Sequence, residues 1–295
     1  MTRQAQDDWQ LAGRQGKPLL AAGVHDALSA RLAEEAGFDL LWISGLGVSV
    51  ARRLVPDANI ISMTEMIDVS RNAIEATSLP VLVDGDSGYG NAVNVIHAVR
   101  AYEGAGAVGL CLEDNEFPKR NSFYAKDGVG LVSVEEMCGK VKAAVDARAS
   151  SNFKIIARTE ALIVGKPPAQ AAERLDLYAE AGADAVLMHG TKLRVVAEAC
   201  RLRNKRVPLV LVPTKFPEAT PEEFAEIGAS VVIFANQALR AAVNAMQRSL
   251  SRLRRDQTSS NIESEISPIE ELFRLSKVDE MREQERKYCN NPVNR

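Results

Sequence analysis

A short phrase recurs four times along this chain, and it restricts the fold more than any other feature. It reads Glu35-Ala-Gly37-Phe-Asp39, Glu103-Gly-Ala-Gly106-Ala, Glu180-Ala-Gly182-Ala-Asp184 and Glu226-Ile-Gly228-Ala-Ser230. A helical pattern precedes each copy and an apolar run follows it. Glycine just past a helix end takes the left-handed conformation that other residues resist, and it turns the chain straight into the next strand. Repeated helix–glycine–strand joints imply βα units and a parallel sheet.

The apolar runs place strands at 18–22, 40–44, 81–84, 108–113, 154–158, 185–189, 209–213 and 230–234. That is the strand number of a closed (β/α)8 barrel, and 295 residues suit one such barrel. Helices are expected at 26–36, 64–77, 92–105, 134–149, 168–181, 193–202, 221–227 and 237–253. Pro168 and Pro221 stand where a first helical turn tolerates proline. The expected domain is a barrel over 1–256, with an extra helix within 3–17, followed by a helical extension over 257–295. In that extension Ile269, Leu272, Phe273 and Leu275 form an apolar group that needs a surface to cover, on the barrel or on a neighbouring subunit.

A formal net charge of −3 gives no reason to expect nucleic acid or an anionic membrane as a partner. No apolar run is long enough to cross a bilayer, and the N-terminus has no apolar signal core. Cys111, Cys138, Cys200 and Cys289 make no CxxC pair and no zinc spacing. They read as reduced thiols of a cytosolic protein.

Candidate chemistry gathers where a barrel keeps it, at the C-terminal strand ends. The third strand ends in Asp84-Gly-Asp86, followed by the bend Gly88-Tyr-Gly90; the fourth ends in Glu113-Asp114. Two strand ends bringing carboxylates toward one point suit a hard cation such as Mg²⁺. The alternative is that Asp84 and Asp86 cap the next helix or brace a turn. The second strand end, Trp42-Ile-Ser44-Gly45-Leu46, offers backbone N–H groups to an anion or is simply a turn. Asp57 lies in a turn. Arg158, closing the fifth strand, either pairs with an acid such as Glu160 or binds an anionic substrate. His189 closes the sixth strand as a ligand-facing or a structural histidine. The long loop after Glu113 carries Lys119, Asn121 and Ser122 and continues through Gly128 and Gly130, as a lid would.

Taken together, Asp84-Gly-Asp86-Ser-Gly-Tyr-Gly-Asn91, Glu113-Asp114, Phe117-Pro-Lys119-Arg-Asn121-Ser122, Arg158, Met188-His189 and Val212-Pro-Thr-Lys215 resemble the phosphoenolpyruvate mutase/isocitrate lyase superfamily. The resemblance implies a Mg²⁺ enzyme that interconverts phosphoenolpyruvate and phosphonopyruvate. It further implies a barrel whose last helix packs on a partner subunit, in a homotetramer built as a dimer of dimers. By the same resemblance Asp84 would touch the metal, while Asp57, Asp86 and Glu113 would hold its waters. Trp42 and the Ser44-Gly45-Leu46 turn would bind substrate, the turn taking its carboxylate. Asn121, Ser122, Arg158 and His189 would hold the phosphoryl group, with Lys119 on the closing lid.

Asn115 stands where mutases usually carry lysine, Gly85 where they carry alanine and Gly190 where they carry serine. The rival activity in the superfamily is phosphonopyruvate hydrolysis; hydrolases carry threonine at the position of Asn121. A C–C lyase or oxaloacetate decarboxylase of the same superfamily is the second rival; lyases carry a cysteine in the lid, and here Asn121-Ser122 follows Lys119-Arg120 instead. A non-catalytic pyruvate-binding or assembly module is the remaining alternative.

Overall fold

The computed structural model describes Leu11 and residues 17–122, 130–204 and 207–289. The expected helix within 3–17 and the lid segment around Gly128 fall outside these, apart from Leu11 and Lys17. Eight strands form a closed, all-parallel barrel in sequence order: β1 Leu19–Val24, β2 Leu40–Ile43, β3 Val81–Asp84, β4 Gly109–Glu113, β5 Lys154–Thr159, β6 Ala185–Met188, β7 Leu209–Leu211 and β8 Ala229–Phe234. The ring closes where β1 pairs with β8, Leu19 opposite Val231.

The helices are α1 Ala27–Glu35, α2 Gly45–Val48, α3 Met63–Glu75, α4 Ala92–Gly104, α5 Val134–Ala147, α6 Pro168–Glu180, α7 Leu193–Leu202, α8 Pro221–Ile227, α9 Gln237–Asp256, α10 Ile269–Leu275 and α11 Val278–Tyr288. The four recurrent glycines, Gly37, Gly106, Gly182 and Gly228, all have positive φ and perform the expected turn from helix to strand. One element differs from expectation. The stretch read as a turn after β2 is the short helix α2 followed by a π-helical turn, Ser49–Arg53. Ser44 starts it, its hydroxyl accepting from the N–H of Gly47 at 3.1 Å. Glycines at 45 and 47 have poor helix propensity, so local sequence gives little sign of it.

Strands buried on both faces read as continuous apolar runs, and two cores result. Inside the barrel lie Leu19, Ala21, Leu40, Trp42, Leu82, Cys111, Ile156, Leu187, Val210 and Ile233, joined by Leu11. The intervening residues, among them Leu41, Val83, Leu112, Ala157 and Met188, pack outward against the helices. This period of two decides which strand-end residues face the barrel mouth.

The chain forms two compact units, residues 1–239 and 240–295, the division falling inside α9. Within the second unit Ile262 is buried, and Arg252 pairs with Glu265 at 2.5 Å. Among the described residues no helix is long and apolar enough to cross a membrane.

The seam between β1 and β8 makes a strong demand. A Cβ on Gly23 would lie 2.1 Å from the carbonyl oxygen of Ala235, a backbone atom that cannot step aside. We expect Gly23→Ala to lower stability by roughly 3 kcal/mol in denaturant unfolding. Gly37→Ala, where only the positive φ is at stake and no atom lies within 4 Å, should cost about 1 kcal/mol.

Candidate active site

The interior parity of the strands continues past their ends. Ser44 lies two residues beyond Trp42, Asp84 beyond Leu82, Glu113 beyond Cys111, Arg158 beyond Ile156 and His189 beyond Leu187. Each therefore follows the side of the strand that points into the barrel. Register brings neighbours level: Asp84 pairs with Cys111, and Glu113 with Arg158. One pocket at the mouth is lined by Trp42, Ser44, Leu46, Asp57, Asp84, Glu113, Lys119, Asn121, Ser122, Arg158 and His189. Gly45 and Asp86 adjoin it. A Cβ on Gly45 would stand 3.2 Å from Asp86 and 3.4 Å from Asp84, so the bare glycine lets the α2 turn approach both carboxylates. The site residues that the resemblance implies thus meet at one place, whereas Asp114 does not join them.

The acidic side is crowded and buried. Asp57, Asp84, Asp86 and Glu113 are all buried. Lys119, itself buried, sits 3.0 Å from Asp57 and also pairs with Asp86. Burial pulls the Lys119 ammonium down, but Asp57 and Asp86 hold it well above its ordinary range. Burial pushes Asp86 well above the usual carboxylate range; Lys119 opposes this, and Asp84 and Asp57 add to it. Burial likewise raises Glu113 to about 7, against the pull of Arg158 and Lys119. The cluster holds more negative charge than Lys119 neutralises.

Glu113 Oε2 lies 3.3 Å from Arg158 Nε but is buried without a hydrogen bond. Its Oε1 accepts from the Asn115 amide at 3.0 Å. An all-oxygen donor set with a buried, under-satisfied carboxylate fits a hard divalent cation. Among the described residues no group of three His, Cys, Asp or Glu side chains converges tightly enough to ligate one ion alone.

The loop after β4 is fastened across this cluster. The Lys119 N–H donates to Asn59 Oδ1 at 2.6 Å, and the Asn59 amide donates to Asp86 at 2.8 Å. The Asn121 amide donates to Asp57 Oδ2 at 2.8 Å. Ser122 Oγ donates to Glu160 at 2.6 Å. Glu160 in turn takes the Arg158 guanidinium and lies 2.8 Å from His189 Nδ1. Burial would raise the Glu160 carboxyl, but Arg158 and His189 together hold it well below the usual range. Of the two sequence readings of Arg158, pairing with an acid or facing an anion, both are met: it pairs with Glu160 and lines the pocket.

Several residues were given no individual role by the sequence reading, although Thr214 lies within the Val212-Pro-Thr-Lys215 motif. Thr214 and Asn236, beyond β7 and β8, line the remaining wall, with the Asn236 amide 3.4 Å from Thr214 Oγ1. Their position at strand ends was the available signal. Asn59 had none, because its role depends on a loop 60 residues away. Asp114, grouped with Glu113 in the sequence, has the opposite parity and faces α6 instead.

A parallel eight-stranded barrel holding carboxylates on one side of a small polar mouth, and an arginine and a histidine on the other, has the layout of a barrel enzyme's active site. Residues 11–254 match the family described as Phosphoenolpyruvate phosphomutase. The chain is 40% identical to phosphonopyruvate hydrolase of Variovorax sp. (strain Pal2), covering 92% of this chain and 95% of that one. It superimposes on a phosphoenolpyruvate phosphomutase from Streptomyces platensis subsp. rosaceus with a TM-score of 0.91 and 39% identity, over 97% of this chain and 98% of that one. A phosphonopyruvate hydrolase in complex with oxalate and Mg²⁺ gives 0.87 and 38%, over 93% and 95%. The chain belongs to the phosphoenolpyruvate phosphomutase family and is an enzyme of the wider superfamily that includes the isocitrate lyases.

The raised carboxyls have a thermodynamic consequence. Glu113 binds its proton more tightly when folded, at about 7, than at its ordinary 4.5. The stability this proton contributes is complete at low pH and is lost as pH rises through about 7, and Asp86 is shifted the same way. We therefore expect Tm of the metal-free protein to fall between about pH 5 and 7.5. Glu113→Gln should flatten that slope in a pH series of thermal melts.

Proposed function

We propose that this chain is a Mg²⁺-dependent phosphoenolpyruvate phosphomutase, which interconverts phosphoenolpyruvate and 3-phosphonopyruvate. The observation that carries the reading is the amide of Asn121, held on Asp57 beside Ser122 in the same pocket as Arg158 and His189. In the direction of phosphonate formation the phosphorus–oxygen bond of the enol phosphate breaks and a bond from phosphorus to the third carbon forms. No proton is gained or lost overall. A loose, metaphosphate-like transition state asks the protein for position, charge and dryness more than for covalent chemistry.

The residues divide that work. Asp84 would hold the Mg²⁺ directly, and Asp57, Asp86 and Glu113 its waters. Once bound, the metal would supply positive charge to the enolate oxygen and carboxylate of the pyruvate fragment. Trp42 would pack against that fragment, and the turn of Ser44, Gly45 and Leu46 would take its carboxylate. Arg158 and His189, oriented by Glu160, would hold the phosphoryl oxygens together with Asn121 and Ser122. Lys119, pinned by Asp57 and Asp86, would keep the loop shut. Asn121 offers donors and an acceptor but is a poor nucleophile. It can hold a departing phosphoryl group without attacking it, and its width occupies room a water would use.

The second reading is phosphonopyruvate hydrolysis, supported by the 40% identity to the Variovorax hydrolase. What weighs against it is Asn121 in the place where hydrolases carry threonine. A place in phosphonate biosynthesis, in the cytoplasm, belongs to the mutase reading. So does a homotetramer with the last barrel helix swapped onto a partner. Support for a partner comes from exposed apolar residues of the second unit, including Val243, Met246, Leu250, Leu272 and Phe273.

Phosphorus NMR with phosphonopyruvate and Mg²⁺ tests the assignment. The wild type should yield phosphoenolpyruvate with little inorganic phosphate. Asn121→Thr or Asn121→Ala should lose most mutase activity, its residual turnover shifting toward pyruvate and phosphate. Wild type that releases mainly phosphate would establish the hydrolase reading. Asp84→Ala should fold normally yet show no Mg²⁺-dependent turnover; full activity in that variant would remove the metal assignment.

A further inference from the structure

Asp114 is a fully buried acid that the functions assigned above do not use. It follows Glu113 directly, but strand alternation turns it out of the pocket toward α6. There every donor around it is specific. Its Oδ1 accepts from the backbone N–H of Glu160 at 2.8 Å. Its Oδ2 accepts from Thr159 Oγ1 at 2.7 Å, from Tyr178 at 2.8 Å and from Arg174 Nη1 at 3.1 Å. Burial pushes its carboxyl up despite these bonds. An apolar side chain would fill such a place at less cost if packing were all that mattered.

The partners of Asp114 belong to the parts of the molecule that must agree for the pocket to form. Its backbone N–H donates to the carbonyl of Arg158, and its carbonyl accepts from the N–H of Val132 at 2.9 Å. Arg174 also donates to the carbonyl of Val132. Asn115 bridges to Leu131, and the N–H of Glu116 donates to the carbonyl of Gly130 at 3.0 Å. The loop carrying Lys119, Asn121 and Ser122 thus leaves and returns at one joint, fastened to α6 by Asp114 and Arg174. On its other side the joint fixes the backbone of Glu160. The Glu160 carboxylate then orients Arg158, His189 and Ser122.

We propose that Asp114 is a positioning residue, clamped by Arg174 and Tyr178, that sets the Arg158–His189 pair through Glu160 and anchors the base of the loop through Val132. This rests on the reading in which Arg158 and His189 hold the phosphoryl group. Its action should show in turnover more than in substrate affinity, because the groups it sets through Glu160 are those that hold the phosphoryl group while it moves.

The test uses the full chain with Mg²⁺ and follows total phosphonopyruvate consumption, whichever product forms. Asp114→Asn keeps the shape of the side chain but places an amide donor among donors. Tyr178→Phe removes one hydroxyl and is the gentler variant should the first fail to fold. Each should lower kcat about tenfold, with KM changed by less than about twofold. In a Glu160→Gln background the Tyr178→Phe penalty should largely vanish, because both changes act on the same link.

Trypsin cleavage after the exposed Arg120 should be faster in Asp114→Asn and Tyr178→Phe than in wild type. The proposal is overturned by kcat within about twofold of wild type, by penalties that multiply in full across the double mutant, or by an unchanged cleavage rate. If the wild type consumes no phosphonopyruvate, the functional reading fails, and the cleavage rates still decide the clamp.

Discussion

The mouth of this barrel gathers more buried carboxylate than its own cations balance, and much of the structure around it answers that constraint. Asp57, Asp84, Asp86 and Glu113 face Lys119 and Arg158, and the latter already serves Glu160. Burying ions is costly unless each finds a partner and its remaining lone pairs are satisfied. Lys119 reaches in from the loop, the Asn59 and Asn115 amides cover oxygens of Asp86 and Glu113, and Glu113 Oε2 is left without a hydrogen bond. Such a site is under-compensated by design. A cation arriving from solution would find charge already assembled, and the loop that carries Lys119 is tied to the same acids.

Geometry allows this crowding because the strands enforce it. Residues of one parity fill the barrel interior, and the next residue of that parity beyond each strand end must enter the mouth. Asp84 and Glu113 thus come from neighbouring strands β3 and β4, the arginine and histidine from the ends of β5 and β6, while Asp57 is brought in by the connection after β2. A one-residue slip in any register would turn its group outward to the helix layer. Asp114 shows what the outward position is worth. One residue from Glu113, it leaves the pocket and ties loop, strand and helix together.

Under the proposed function, the choice between moving a phosphoryl group to carbon and giving it to water would turn on a few neutral atoms. Arg158, His189 and Glu160 supply charge and orientation, which either chemistry needs. Asn121 and Ser122 sit on the loop, and their bonds to Asp57 and Glu160 place the loop across the pocket. Relatives of both activities superimpose on this chain almost equally well. The barrel is therefore common ground to relatives of both activities, and in the proposed reading discrimination would fall to what lies beside the transferred group.

The sequence alone determined the barrel, because helix–glycine–strand joints and doubly buried strands are local patterns with one economical solution. It also marked the strand-end residues Asp84, Glu113, Arg158 and His189, since their places follow from strand parity. Helix α2 was not legible, because glycines at 45 and 47 disfavour the helix that Ser44 and tertiary packing impose. Neither was Asn59, whose partners Asp86 and Lys119 are distant in the chain, and Thr214 and Asn236 were marked only by their places after strands. Only the tertiary structure decided that Arg158 both pairs with Glu160 and faces the pocket, and that Lys119 reaches Asp57 and Asp86. It also decided that Asp114 turns away from its neighbour Glu113. These are choices among partners, and they are settled by burial: inside the fold each charge must take whichever counter-group the packing brings within reach.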